Sequence, residues 1–467
     1  MHGRTQAMAR LSHLARRLRA EAERRGDTVF FWDAGDPFDR QFRLCSMTKG
    51  AALARVLNAM GYDLMTMGND ILLTYGPEAM AEVTKRLSFP VLAANCRDGS
   101  GPLSLGLKES VLLPVPGGGT IGVFGLTAPW GGLYEAFGLR FPDTLQTAAR
   151  LVASLRGRGA TLVVALSHLG LADDQLLVES VPGIDLVIGA HSHDLLEEGM
   201  EHAGALIAQA GQYAEALGII QLELDPIGLR PIERKASVQR VNEDEPPDPA
   251  FLTALAEAEA EVEALAAQPV AEVLDPLDLT YDGECALGNL AADAFRERMG
   301  AEAAMIISGQ LARGLAAGTA TFGDLCEVSL VTANPQRTRL RGAQIISALE
   351  QGVSPRFIAA RPRGLRGPPI GWPQISGMTV EWEPEAPLGK QIRRVWIGAS
   401  PLEADRMVLL AHSDAETMDE FALLALEPGQ QTESEVPTVT REVLEDYLRL
   451  HSPVPAPLGG RWRRAEG

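Results

Sequence analysis

Two of the chain's eight histidines stand in one short stretch, Gly189-Ala190-His191-Ser192-His193. That stretch is the last of four polar motifs, each set directly after an apolar run. Ser167-His168-Leu169-Gly170 follows Thr161 to Leu166, Gly68-Asn69-Asp70 follows Tyr62 to Met67, and Asp33-Ala34-Gly35-Asp36 follows Thr28 to Trp32. Asp, Asn and His together supply oxygen and nitrogen donors without thiolate. Such a set suits Mn²⁺, Zn²⁺ or Fe, not a structural four-cysteine zinc.

Each polar group falls at the carboxyl end of an expected strand, the edge at which open α/β sheets bind ligands. Further apolar runs at Phe89 to Ala94, Thr120 to Gly125, Gly183 to Ile188, Ala205 to Ala208 and Leu217 to Leu224 alternate with helical patterns. This alternation predicts a layered α/β domain over residues 1–242. Leu11, Leu14 and Leu18 recur at helical spacing and predict an amphipathic first helix. From Glu243 to Pro247 the composition turns to Glu, Asp and Pro, and an Ala/Glu/Leu-rich pattern then runs to Gln268. Residues 243–268 therefore read as a linker and connecting helix. Asp248 is its expected N-cap and Pro249 its first helical residue, because an Asp oxygen accepts an orphan N–H and proline has none to satisfy. Residues 269–467 read as a second, α+β domain, with a helix from Leu287 to Met299 and a buried strand from Ala303 to Ile307.

A chain of 467 residues exceeds what one core supports, and 46% hydrophobic with 22% charged residues is ordinary for a globular protein. The net charge of −19 argues against nucleic-acid and anionic-membrane partners, since a polyanion gains nothing from counterion release. A phosphorylated substrate would need local positive charge. The four cysteines are scattered without Cys-x-x-Cys and signal neither a disulfide framework nor a zinc knuckle. No apolar run is long enough to span a membrane, and the amino terminus lacks secretory-signal features. The chain as given reads as cytoplasmic, or as periplasmic or extracellular if a leader precedes it.

In this order the motifs resemble the bifunctional metallophosphatase and 5′-nucleotidase family. Its amino domain is a calcineurin-like metallophosphoesterase of αββα layers, and its carboxyl domain binds substrate. Asp33-Ala-Gly-Asp36 is similar to the family's Asp-Ala-Gly-Asp, Gly61-Tyr-Asp through Gly68-Asn69 to its Gly-Tyr-Asp…Gly-Asn-His-Glu, and Ser167-His168 and His191-Ser-His193 to its two histidine motifs. Leu287-Gly-Asn-Leu-Ala-Ala-Asp293 and Gln374-Ile-Ser-Gly377 resemble structural landmarks of the second domain. The resemblance implies two divalent metal ions (Mn, Zn or Fe). Asp36 would bridge them, Asn69, His168 and His191 would complete one shell, and His193 would face the other ion, with His2 as the remnant of a first Asp-x-His-Gly motif. Two such cations can clamp a phosphoryl group and deprotonate a water, so no protein nucleophile is required. The implied substrate is a small phosphorylated molecule, a nucleotide above all.

The chain departs from the family pattern in places that bear on chemistry. It begins Met1-His2-Gly3, without the strand and Asp that precede the family's histidine; an upstream start is expected, because Gly3 and the helix after it are intact. At the family's catalytic histidine stands Asp70, the one candidate catalytic side chain. A carboxylate beside two cations stays ionised and is a poor proton donor, which favours phosphoanhydrides over monoesters. Ser308-Gly-Gln-Leu-Ala-Arg313 resembles a weakened substrate loop, with Arg313 as a phosphate contact. Arg337, Arg363 and Arg366 belong to a basic run suited to bidentate phosphate binding, and Trp372 could stack on a base. The second stacking ring has Phe421 as its only candidate. Two other readings stay open: a catalytically degenerate relative that binds a phosphorylated ligand, and a thiosulfohydrolase-like enzyme on the same scaffold, suggested by Thr74-Tyr75-Gly76.

Overall fold

A computed structural model describes residues 3–40, 42–98, 105–130, 132–225, 231–362, 368–418 and 423–465. It divides into two compact units, Met1–Val262 and Glu263–Gly467. Among the described residues no helix is long and apolar enough to cross a membrane.

Two of the first unit's sheets, the largest among its described residues, position the site. The six-stranded sheet runs in the order Met200–His202, Ala205–Ala208, Leu186–Ile188, Leu162–His168, Thr120–Thr127, Ser110–Pro114. The inner pairings are parallel and the outermost one on each side is antiparallel. Leu162–His168 reads as a continuous apolar run because every residue in it is buried. Alternation sorts its side chains: Leu162, Val164 and Leu166 join Leu64 and Leu92 of the other sheet in one cluster. Val163 and Ala165 point the other way, into a cluster with Leu151 and Leu155 of helix Thr144–Gly157 and Leu177 of helix Leu171–Ser180. The layering is thus sheet on sheet with helices outside, a mixed α/β architecture.

The second sheet is parallel and three-stranded: Trp32–Asp33, Leu64–Thr66, Val91–Leu92. Its first strand is shorter than the Thr28–Trp32 run predicts. Asp63 accounts for this, since its carboxylate takes the Phe31 N–H at 2.7 Å and its own N–H donates to Phe31 O. The first helix, Thr5–Arg25, buries Met8, Leu11 and Leu14. Asp248 caps helix Pro249–Ala266 through the Ala250 N–H at 2.9 Å. Its other oxygen accepts Ser12 Oγ and Arg16 Nε of the first helix, each at 2.5 Å.

The second unit centres on a five-stranded sheet in the order Pro373–Ser376, Ala303–Ile307, Met407–Ser413, Pro335–Arg341, Thr432–Ser434. Met305 and Ile307 pack with Ile345 and Leu349 of helix Gly342–Gly352. The two landmarks of this unit touch. Gly288 of helix Ala286–Arg298 lies against the Gln374 side chain, where an added Cβ would collide, and Ser376 Oγ donates to Asp293. His412 differs from His13, His202 and His451, which are at least partly exposed. It is wholly buried on a strand.

Candidate metal centre

The carboxyl ends of both sheets in the first unit carry the polar motifs. After Trp32–Asp33 the chain turns through Gly35 (φ 99°) into Asp36 (φ 53°), and the Gly35 N–H closes the turn on Asp33 Oδ1 at 2.7 Å. Burial raises the Asp33 carboxyl above its ordinary range. A side chain at Gly35 would meet His168 Nδ1 at 2.7 Å and the Gly68 N at 2.9 Å. At Gly68 it would fall on the Asp36 carboxylate. The two glycines let three loops converge on one carboxylate.

Asp36 uses both oxygens. Oδ1 accepts the Asp70 N–H at 3.0 Å at the start of helix Asp70–Arg86, whose preceding residue, Asn69, makes no side-chain cap. Oδ2 lies 3.1 Å from His168 Nε2. The His168 Nδ1 donates to Ala34 O at 2.7 Å, which fixes the tautomer and aims the Nε2 lone pair at the carboxylate. Two lone pairs face each other there, an arrangement that asks for a proton or a cation between them. Burial works to lower the His168 pKa, yet the Asp36 charge and hydrogen bonds carry it above its ordinary value. His191 is lowered, by burial first and then by the neighbouring His168.

Among the described residues Asp36, His168 and His191 form one group whose donor atoms all lie within 4.8 Å of one another. Asn69 Oδ1 is buried and accepts no hydrogen bond from a described residue. It stands between Gly68 and Asp70, both of which adjoin Asp36. A carboxylate, two imidazoles and an orphaned amide oxygen fit a divalent cation. His193 lies outside this group. It is exposed, with its ring 6.3 Å from that of Tyr213. His2 falls outside the described residues.

The histidine loop follows strand Leu186–Ile188 and is held in an uncommon conformation. His191 (φ 77°) and His193 (φ 64°) are both left-handed, a backbone strain of about 1–3 kcal/mol each that persists only where surroundings impose it. Several residues around it escaped the sequence reading. Asp174, fully buried, accepts from Ser167 Oγ at 2.5 Å, and burial pushes its carboxyl up to about 7. Trp130 stacks edge-on to His191 at 6.1 Å. Gln209, 3% exposed, lies against the loop. They carry no motif of their own; the signal was only their place shortly after a strand of the same sheet, Gln209 after Ala205–Ala208, Trp130 after Thr120–Thr127 and Asp174 in the helix that follows Leu162–His168.

Among the described residues of the second unit, those assigned to substrate are engaged elsewhere. Trp372 is 4% exposed and its ring packs edge-on against Trp382 and Trp462, each at 4.9 Å. It is a core residue and offers no face to a base, which corrects the expectation from sequence. Arg337 bonds to Glu433, its cross-strand neighbour, at 2.5 Å and to Met299 O at 2.9 Å, so the strand pairing absorbs its charge. Arg313 meets Asp324 at 2.7 Å and Glu327 at 2.6 Å on the surface. Arg363, Arg366 and Phe421 lie outside the described residues.

Residues 269–414 match the family model of the 5′-nucleotidase C-terminal domain. The uncharacterized metallophosphoesterase YunD of Bacillus subtilis (strain 168) is 28% identical over 435 residues, 92% of each chain. The 5′-nucleotidase of Bos taurus is 26% identical over 57% of this chain, which spans 50% of that protein. Two solved structures from Thermus thermophilus share the fold. A 5′-nucleotidase precursor aligns over 99% of this chain and 94% of its own (TM-score 0.53, 24% identity), and a sulfate thiohydrolase over 98% and 82% (TM-score 0.52, 22% identity). Motifs and layered fold agree with these likenesses: residues 269–414 belong to the 5′-nucleotidase C-terminal domain family, and the chain as a whole is similar to metallophosphoesterases and 5′-nucleotidases.

Proposed function

We propose that this chain hydrolyses phosphate esters or anhydrides of small molecules, nucleotides among them, with divalent metal at the Asp36 centre. The observation that carries the reading is the convergence of Asp36, His168 and His191 within 4.8 Å. Asp36, Asn69, His168 and His191 would hold one ion; Asp36, His193 and His2 would face a second, of Mn, Zn or Fe. The metal, when bound, polarises the phosphoryl group and makes water nucleophilic at neutral pH. The chain's own residues do the positioning. The Asp70 N–H orients one Asp36 oxygen, and the Ala34 carbonyl turns the His168 Nε2 inward. We assign this chemistry to residues 1–242 and recognition of the remaining substrate to residues 269–467, joined through 243–268.

Asp70 replaces an imidazole with a group that, when ionised, only accepts hydrogen bonds. A leaving group that needs a proton is therefore poorly served, and anhydrides such as nucleotide sugars are the better substrates. The test is Mn²⁺-dependent hydrolysis, read as product release: phosphate from AMP and from an activated aryl phosphate, and UMP with glucose 1-phosphate from UDP-glucose, with Asp36→Ala as control. UDP-glucose and the aryl phosphate should be cleaved faster than AMP, and Asp36→Ala should abolish all three. Faster cleavage of AMP would reject the leaving-group argument. No release above Asp36→Ala, with Mn²⁺ still taken up, would favour a phospho-ligand-binding protein. The thiosulfohydrolase reading rested on Thr74-Tyr75-Gly76, and here Gly76 (φ 77°, ψ −177°) breaks the helix before Pro77, a local role that needs no sulfur chemistry.

A further inference from the structure

The loop that carries both candidate ligand histidines is bracketed by one buried side chain. Strand Ala205–Ala208 pairs in parallel with Leu186–Ile188, Ala208 opposite Ile188, so the residue after each strand lies beside its counterpart. On one side the chain enters Gly189-Ala190-His191-Ser192-His193-Asp194; on the other comes Gln209. Its Nε2 donates to Ala190 O at 3.1 Å, and its Oε1 accepts the Asp194 N–H at 2.6 Å. Ser192 Oγ lies 3.2 Å from the same oxygen. A carbonyl can only accept and a backbone N–H can only donate, so the orientation of the amide is fixed. The contacts begin one residue before His191 and end one residue after His193, the two positions with left-handed backbone.

We propose that Gln209 is a positioning residue of the metal centre: its carboxamide clamps the loop on both flanks and sets the direction of His191 without touching a ligand atom. The proposal rests on the metal reading above. The two side chains nearest in shape each fail at neutral pH. An ionised glutamate would keep the acceptor for Asp194 but set an oxygen against the Ala190 carbonyl, and methionine would fill the space with neither group.

The test is Co²⁺ titration of the full chain, read by visible absorption, for wild type, Gln209→Met and Gln209→Glu, with thermal melting alongside. Gln209→Met should weaken Co²⁺ binding roughly 10- to 100-fold, as loss of a partner that orients a ligand does elsewhere, and should alter the absorption band. Gln209→Glu regains the donor to Ala190 only when protonated. Its deficit relative to wild type at the same pH should be largest near pH 8 and shrink toward pH 6, a trend a mere packing role would not produce. Wild-type affinity and spectrum in both variants would overturn the proposal. So would a Gln209→Glu deficit that is flat with pH, which decides the matter if Gln209→Met does not fold. A wild type that takes up no Co²⁺ would remove the metal reading and this one with it; a wild type that binds while the variants match it removes this one alone.

Discussion

At the scale of single residues, the Asp36 carboxylate accepts the Asp70 N–H through one oxygen and faces His168 Nε2 through the other. As a cap it favours the helix N-terminus, where negative charge is stabilised; as a metal ligand it needs the same two lone pairs fixed in space. The structural role and the chemical role reinforce each other, so the ordinary reading of an isolated Asp in a turn does not compete with the functional one. The tolerance of this arrangement is set by Gly68, whose missing side chain leaves room for the carboxylate. Gly68→Ala should push Asp36 aside. Overpacking of this kind costs about 1–3 kcal/mol of stability, whereas a displacement near 1 Å at a reacting centre costs on the order of 100-fold in rate. Melting temperature and Mn²⁺-dependent phosphate release, measured together, should therefore separate: a modest fall in the first and a large fall in the second. A Gly68→Ala protein with wild-type release would mean that the position of Asp36 is not limiting.

At the scale of elements, sequence legibility follows from how local the cause is. Leu162–His168 was readable because parallel strands covered on both faces are apolar throughout, and its polar end was readable as a site edge. Asp248 and Pro249 announced their helix through capping chemistry confined to a few residues. What the sequence hid was long-range. Arg337 looked like a phosphate contact because its acidic partner, Glu433, lies on a segment distant in the chain. Trp372 looked available for stacking because Trp462, one of the two rings packed against it, is likewise remote. Asp248 itself has a second function of this kind: besides its cap it joins the first helix through Ser12 and Arg16. A lost cap costs about 1 kcal/mol, and a hydrogen bond involving a charge about 1.5–3 kcal/mol. Asp248→Ala should then destabilise the first unit by on the order of 3 kcal/mol in urea unfolding followed by circular dichroism. Asp248→Asn, which keeps the cap, should recover about 1 kcal/mol of that; equal losses in the two variants would show that the cap contributes nothing.

At the scale of the whole molecule, the net charge of −19 makes the pH response a sum of many carboxylates, and the instructive groups are those buried in the second unit with opposite signs. His412 donates from Nδ1 to Ser413 O at 2.7 Å and meets Thr338 Oγ1 at 2.9 Å through Nε2. Burial drives its pKa down to about 4. The folded chain therefore refuses a proton that the unfolded chain accepts. Stability from this group is full above the ordinary histidine value near 6.5 and is lost as pH falls toward 4. The loss amounts to about 3 kcal/mol, at roughly 1.36 kcal/mol per pKa unit. Asp414, two residues away, is pushed up to about 6 by its own burial, and Glu416 is raised as well. Both bind protons more tightly when folded, so their contributions grow as pH falls and mask the histidine in any single titration. The prediction is therefore a difference. His412→Asn retains a donor toward Ser413 O but has no group that titrates. Urea unfolding read by tryptophan fluorescence follows the second unit through the packed Trp372, Trp382 and Trp462, with Trp32 and Trp130 of the first unit adding a signal common to both proteins. Wild type should lose stability relative to the variant between pH 6.5 and 4. Parallel curves for the two proteins across that window would show that His412 does not titrate in the folded core.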